Sequence, residues 1–333
     1  MSGTKPIKTG GHLAAIIATV ISITLAALLF FNRQCVVDQL TVWQYKPSGE
    51  VATLADRSGM NDKGKFFFYA SQPAVENAQS FNKQCGRLEA STAILGCYNG
   101  RNIYVYNVTD ARLDGIREVT AAHEMLHAAY ARMNDKDKKQ VNALLETEYA
   151  KLKDDKQFAE RMAFYARTEP GERDNELHSV IGTEVANISP ELEAHYKTYF
   201  TNRGTVVMLH AKYASVFADL QNQSDTLSTE LTQLGEKIEN ESVVYNKEVS
   251  QLNQDIQSFN ATATGGGFSN QTGFETARTA LTSRASQLDA KRQSINNDVA
   301  RYDTLRQQLT NIASQSDALN HSIDSSLAPA PSL

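Results

Sequence analysis

The chain has 333 residues, 41% of them hydrophobic, and a formal net charge of −5 at pH 7. This is enough apolar material for a sizeable core, and the absence of a basic excess argues against DNA or RNA as a partner.

Residues 13–31 are an uncharged run of 19, about 28 Å of helix at 1.5 Å per residue, and they are expected to form a transmembrane anchor after a cytoplasmic tail, 1–12. Asn32, Arg33, Gln34 and Cys35 offer no small-residue cleavage site, which favours a retained anchor over a signal peptide. Cys35 also lacks the context of a lipidated cysteine. Lys5 and Lys8 precede the run, and Arg33 and Lys46 follow it. That balance favours a cytoplasmic N-terminus, a single pass and a catalytic part outside the cytoplasm. Cys85 and Cys97 are spaced to close a short loop by a disulfide in an oxidising compartment, leaving Cys35 unpaired; two reduced, buried cysteines fit the spacing almost as well.

Residues 36–204 read as an α+β domain. The run 65–70 has the composition of a buried strand. Residues 93–98 and 102–108 alternate around Asn99-Gly100, a hairpin signal. Helices are expected from about Arg112 onward.

Within 120–130, His123, Glu124 and His127 form a His-Glu-x-x-His pattern. Histidines at i and i+4 share one helix face, so both imidazoles can reach one metal ion while the glutamate points into the same cleft. The neighbours Ala121, Ala122, Met125, Leu126, Ala128 and Ala129 are uncharged, as a buried active-site helix requires. The plainer alternative is a core helix whose histidines are satisfied by hydrogen bonds. The segment resembles the signature of zincin metallopeptidases, including Thr120 three residues before the first histidine. A metzincin would carry Gly and His where Tyr130 and Met133 stand. The resemblance therefore implies the gluzincin type, in which a glutamate from a second, downstream helix completes a zinc site.

The run 169–184 supplies that glutamate. Pro170 and Gly171 end one helix, Asp174 or Asn175 can cap the next, and Glu176 falls in its first turn ahead of Leu177, Val180 and Ile181. Glu176 and Ser179 resemble the Glu-x-x-Ser start of a gluzincin ligand helix, although Val180 stands where those families carry Asp. Glu184, Glu172 and His178 stay open as alternatives. Zinc on two imidazoles and one carboxylate keeps a position for water, and Glu124 would be the general base. Donors to the oxyanion are sought among His178, His195, Tyr196 and Tyr199. By the same resemblance, the strand at 103–108 could offer a free edge to an extended peptide substrate; an internal strand is an equally good reading.

Beyond Gly204 an apolar stripe recurs every seven residues at Leu231, Ile238, Tyr245, Leu252 and Phe259, with Leu227, Leu234 and Ile256 between. A second arm repeats it at Leu281, Leu288, Ile295, Tyr302 and Leu309, with Val299, Leu305 and Ile312 alongside. The glycine-rich stretch 262–273 separates the arms. Residues 205–325 are thus expected to form an antiparallel coiled-coil hairpin, each arm roughly 65 Å long, followed by a disordered tail, 326–333. Such a hairpin suits a spacer, a homo-oligomer contact or a partner helix; leaning over the cleft, it could also regulate access.

Together these features describe a membrane-anchored zinc metalloendopeptidase acting on proteins or peptides. The alternative is a non-catalytic surface protein in which the hairpin supplies adhesion or assembly and the zinc-like helix is structural or degenerate.

Overall fold

The computed structural model describes residues 9–86 and 93–326, with side chains from residue 15 onward; 1–8 and 327–333, the outer parts of the two expected tails, lie outside the described residues. The elements run α1 (Thr9–Phe31), α2 (Arg33–Gln44), α3 (Gly49–Arg57), α4 (Asp62–Ala70), β1 (Ala74–Glu76), α5 (Ala78–Gln84), β2 (Gly96–Tyr98) and β3 (Ile103–Tyr106). Then follow α6 (Ile116–Ala131), α7 (Asp135–Leu152), α8 (Lys156–Thr168), α9 (Arg173–Glu184), α10 (Pro190–Tyr196), α11 (Gly204–Thr264) and α12 (Gln271–Ile323). The described residues fall into two units, one ending at Ser215 and taking in 321–326, the other spanning residues 216–320.

The α+β zincin-like domain expected over 36–204 is corrected by this inventory. The described chain is 77% helical, and its sheet is confined to three strands of three or four residues. The run 65–70, expected as a strand, belongs to α4. A short aromatic run has no decisive period of its own. What decides is Asn61, whose side chain accepts from the Lys63 and Gly64 amides, with Asp62 in the first turn. Wound this way, the segment buries Phe68 completely and leaves Phe66 and Phe67 half-covered.

The transmembrane helix expected at 13–31 is corrected as well. Among the described residues no single helix is long and apolar enough to cross a membrane; Ala15–Phe31 meets that criterion only together with Arg33–Gln44, from which it is bent by 76°. The bend falls at Asn32, which leaves helical geometry while its side-chain amide donates back to the Leu28 carbonyl at 2.8 Å.

In the first unit α6 forms the centre, with α9 packed along it and α3, α4, β2 and β3 also in contact. The close approach depends on small residues: Ala121, Ala122, Ala128 and Ala129 of α6 are buried, and a Cβ on Gly182 of α9 would lie 2.5 Å from Leu126 and 2.7 Å from the Tyr196 ring. The sheet order is β1-β3-β2, with β3 parallel to β1 and antiparallel to β2, Cys97 opposite Tyr104. The hairpin expected at Asn99-Gly100 is present, closed by the Asn99 side chain accepting from the Arg101 and Asn102 amides. The strand at 103–108 offers no free edge, because β1 occupies its other side. Three residues were too few to reveal β1 beforehand.

In the second unit the arms run antiparallel, as ion pairs record: Glu230 with Arg301, Lys237 with Asp298, Glu248 with Lys291 and Asp255 with Arg284. Leu234, Leu252, Ile295 and Leu305 are buried in the seam, whereas Ile256 and Val299 stay exposed. Both helices continue into the expected loop 262–273, which narrows to 265–270 and is flanked by a cluster of Phe259, Phe268 and Phe274 rings.

Candidate metal centre

Helix α6 is buried on nearly all sides and carries Glu118, Glu124 and His127 into that interior. Each needs a partner or a function, because an unsatisfied buried polar group costs about 1–3 kcal/mol. Glu118 has Arg57 at 2.5 Å. His123 and His127 stand one turn apart with ring centroids 4.7 Å apart, as the i, i+4 spacing requires.

Helix α9 brings the carboxylate. The turn at Pro170-Gly171 ends α8, and α9 starts at Arg173 with Glu172 in the cap position, so Glu176 lies in its first turn. Asp174 and Asn175, expected as caps, sit inside the helix instead; Asp174 accepts from the Asn142 amide of α7 at 2.6 Å. The other end of α9 is held by Arg203, whose buried guanidinium donates to the Val185 carbonyl at 2.6 Å and to that of Ala186 at 3.0 Å.

Glu176 Oε1 lies 3.4 Å from His127 Nε2, and Oε2 lies 3.6 Å from His123 Nε2. The ligand atoms of His123, His127 and Glu176 all lie within 4.8 Å of one another. That spacing suits a dication with nitrogen and oxygen ligands at roughly 2.0–2.2 Å. Glu176 Oε2 and the neighbouring Asn175 Oδ1 are buried without a hydrogen-bond partner. A carboxylate oxygen is seldom left so, and a cation between the two histidines would satisfy it. The donor set therefore fits zinc.

Charge at the site follows from burial. Desolvation, helped by Arg161, pushes His123 down to about 3, and desolvation also lowers His127. Both imidazoles are thus neutral near pH 7, as ligation requires. Burial raises Glu176, and it raises Glu124 well above the usual carboxylate value, with Glu176 and Glu169 nearby adding to the shift. A bound dication would draw both back toward the ionised form.

A cavity of about 330 Å³ opens beside these groups, lined by His123, Glu124, His127 and Glu176 together with Gly96, Tyr98, Tyr165 and Glu169. The Tyr98 backbone amide favours the ionised Glu124 carboxylate, and Glu124 packs against Gly96 of β2, so β2 borders this side chain at the cavity wall. Glycine at position 96 lets Glu124 approach β2, since a Cβ there would come within 2.7 Å of Glu124 Oε1 and 2.5 Å of Thr120 and force one of them to move. The disulfide Cys85–Cys97 ties β2 to the end of α5, and Cys35 is free and exposed.

The other candidate ligands are engaged elsewhere. Glu184 pairs with Arg161 and lies 3.4 Å from His210. Glu172 is exposed at the rim and accepts from the Asn175 amide. His178 Nε2 shares a hydrogen bond with His195 Nε2 at 2.9 Å. The candidate oxyanion donors His178, His195, Tyr196 and Tyr199 lie apart from the cavity lining. They pack on one another, Tyr196 donating to the His178 carbonyl at 2.7 Å, and none lines the cavity. The lining tyrosines are Tyr98, Tyr165 and Tyr213, with Tyr165 stacked on His123 at 6.4 Å. Nothing local in sequence marked Tyr165. Glu169, raised to about 7 by partial burial and by Glu176, could have been noted as one more acid in the run that supplied Glu176. No family model matches the chain, and no characterised protein or solved structure was found to match it.

Proposed function

We propose that the chain is a zinc-dependent peptidase, with His123, His127 and Glu176 as the metal ligands and Glu124 as the general base. The observation that carries this reading is the convergence of three neutral or acidic ligand atoms within 4.8 Å, one of them a buried carboxylate oxygen without a partner. When bound, zinc supplies a Lewis acid that polarises a carbonyl and acidifies a water molecule.

The rest falls to the chain's own residues. Glu124 lies on the cavity wall one residue from a ligand, where its carboxylate can take a proton from water and return it to the departing amine. β2 borders that carboxylate, Gly96 packing against it and the Tyr98 amide favouring its ionised form. Tyr165, stacked on His123, limits the imidazole's rotation and excludes water from one flank of the cavity. The cavity favours this reading over a structural zinc site, because structural sites are closed on all four sides whereas catalytic ones keep room for substrate. The disulfide at Cys85 and Cys97 fits action in an oxidising compartment outside the cytoplasm.

The test is metal content and hydrolysis of a mixed peptide library by the purified full chain and its Glu124→Gln variant. One zinc per chain in both proteins, with cleavage only by the parent, is the expected result. An empty site in excess zinc, or undiminished cleavage by the variant, refutes the proposal.

A further inference from the structure

Among the described residues, nothing covers the outward face of α2. Val37, Leu40 and Trp43 are 55%, 46% and 72% exposed, and their spacing places them on one side of the helix. The opposite side is fixed. Asp38, buried at 3% exposure, accepts from Arg132 Nε at 2.8 Å and Nη2 at 2.9 Å, and Tyr45 just past the helix donates to the Pro73 carbonyl at 2.6 Å. The helix therefore cannot roll to hide its apolar face without breaking a buried ion pair, which is strongly unfavourable.

What borders that face identifies its occupant. Directly before it, α1 exposes Ile16, Ile21, Ile23, Leu28, Phe30 and Phe31, each more than half accessible. So continuous an apolar surface is not stable in water. Arg33, whose guanidinium lies over the Phe30 ring at 5.9 Å, and exposed Lys46 bracket α2. A tryptophan with flanking cations, beyond an apolar helix, is the composition found where protein crosses from hydrocarbon to headgroups. The 76° turn between the two helices lays α2 nearly across the direction of α1.

We propose that α1 and α2 enter lipid as a bent pair, with α1 in the acyl region and the Val37, Leu40 and Trp43 face of α2 lying in the headgroup boundary. The bilayer surface is thus a docking partner of α2, distinct from the straight anchor that the sequence suggests. Because Asp38 and Arg132 clamp α2 to the end of α6, the surface holds the histidine-bearing helix in one orientation. Peptide segments lying along a membrane are then the substrates such a unit meets first.

Trp43 is the chain's single tryptophan, so its fluorescence reports on this face alone. The full-length protein is reconstituted in vesicles of phosphatidylcholine and phosphatidylglycerol, with and without lipids brominated near the headgroup end of the acyl chain. The expected result is a blue-shifted emission quenched at least twofold by brominated lipid and sheltered from acrylamide. In a Val37→Glu/Leu40→Glu variant, both exposed positions, the lipid quenching should fall to background while the protein still floats with vesicles through α1. Emission typical of water, accessible to acrylamide and unquenched by lipid in protein that floats, overturns the proposal, as does failure of the parent to associate with vesicles. Zinc content measured on the same samples reports separately on the metal centre, so the two readings fail independently.

Discussion

Two pairs of buried or half-buried histidines meet at α9, in different surroundings. His123 and His127 meet Glu176 at a cavity, with a carboxylate oxygen left unpartnered. His178, two residues along α9 from Glu176, meets His195 directly at 2.9 Å, and the rings of Tyr130, Tyr196 and Tyr199 close around it. Burial lowers the proton affinity of all four imidazoles, so depressed basicity does not distinguish a ligand from a packed ring. His178 Nδ1 is also buried without a partner, so what distinguishes the pairs is a carboxylate within ligand distance of both rings and open volume beside them. The first pair has both; the second meets no carboxylate at ligand distance and does not line the cavity.

The contrast is most easily broken at the metal. Glu176→Ala should weaken zinc binding by at least about 100-fold, judged against the 10–100-fold cost of losing even an outer-shell partner, whereas His195→Gln should leave it unchanged. Competition with a chromogenic chelator measures both, and equal losses would mean that the two clusters are not functionally separate. Glu124→Gln should keep its zinc and lose hydrolysis by roughly 10²–10⁴-fold, the usual worth of a positioned base; single-turnover cleavage of a quenched peptide reads this.

Gly96→Ala is a finer probe. The added methyl must displace Glu124 or Thr120, both under 3.0 Å from the built position. Cleavage should drop by about tenfold or more through misplacement of the base, with metal content retained and a larger effect on kcat than on KM. A change confined to KM would show that β2 binds substrate without holding Glu124.

On the packed side, Tyr196→Phe strips the donor from the His178 carbonyl and should cost about 1–3 kcal/mol in urea unfolding, with zinc affinity intact. A further effect on that side concerns pH. His195 is pushed down to about 4, by burial first and then by Lys63. An unfolded chain with an ordinary histidine takes up its proton near 6.5, so the folded state's advantage is complete above that pH and declines as pH falls from about 6.5 toward 4. Replacing His195 by Gln should flatten that part of the metal-free stability profile. An unchanged slope would assign it to other groups.

The site was more legible than the fold around it. The helix bearing His123, Glu124 and His127 could be read because its period, flanks and ligand spacing all agree locally. Glu176 could be named from the helix break at Pro170-Gly171, although its cap was misjudged, since Asp174 is drawn to Asn142 on another helix. The strand at 65–70 was misread because aromatic composition suits both helix and strand, and the deciding Asn61 cap lies outside the run. His178, His195, Tyr196 and Tyr199 fall outside the cavity lining, because residue type does not say which side of α9 or α10 a ring faces.

By itself, the sequence determined that two imidazoles share one turn, that a glutamate follows on a later helix, and that heptads at 231–259 and 281–309 build paired arms, because each is a repeat within a single element. Only the tertiary structure decided that Glu176 rather than Glu184, Glu172 or His178 joins the histidines, that Tyr98 and Tyr165 wall the cavity, and that the apolar N-terminal segment bends at Asn32. Those outcomes depend on how α6, α9 and β2 pack. Packing is fixed by contacts between residues far apart in the chain, such as Gly182 on Leu126 and Tyr98 on Glu124, which no local pattern encodes.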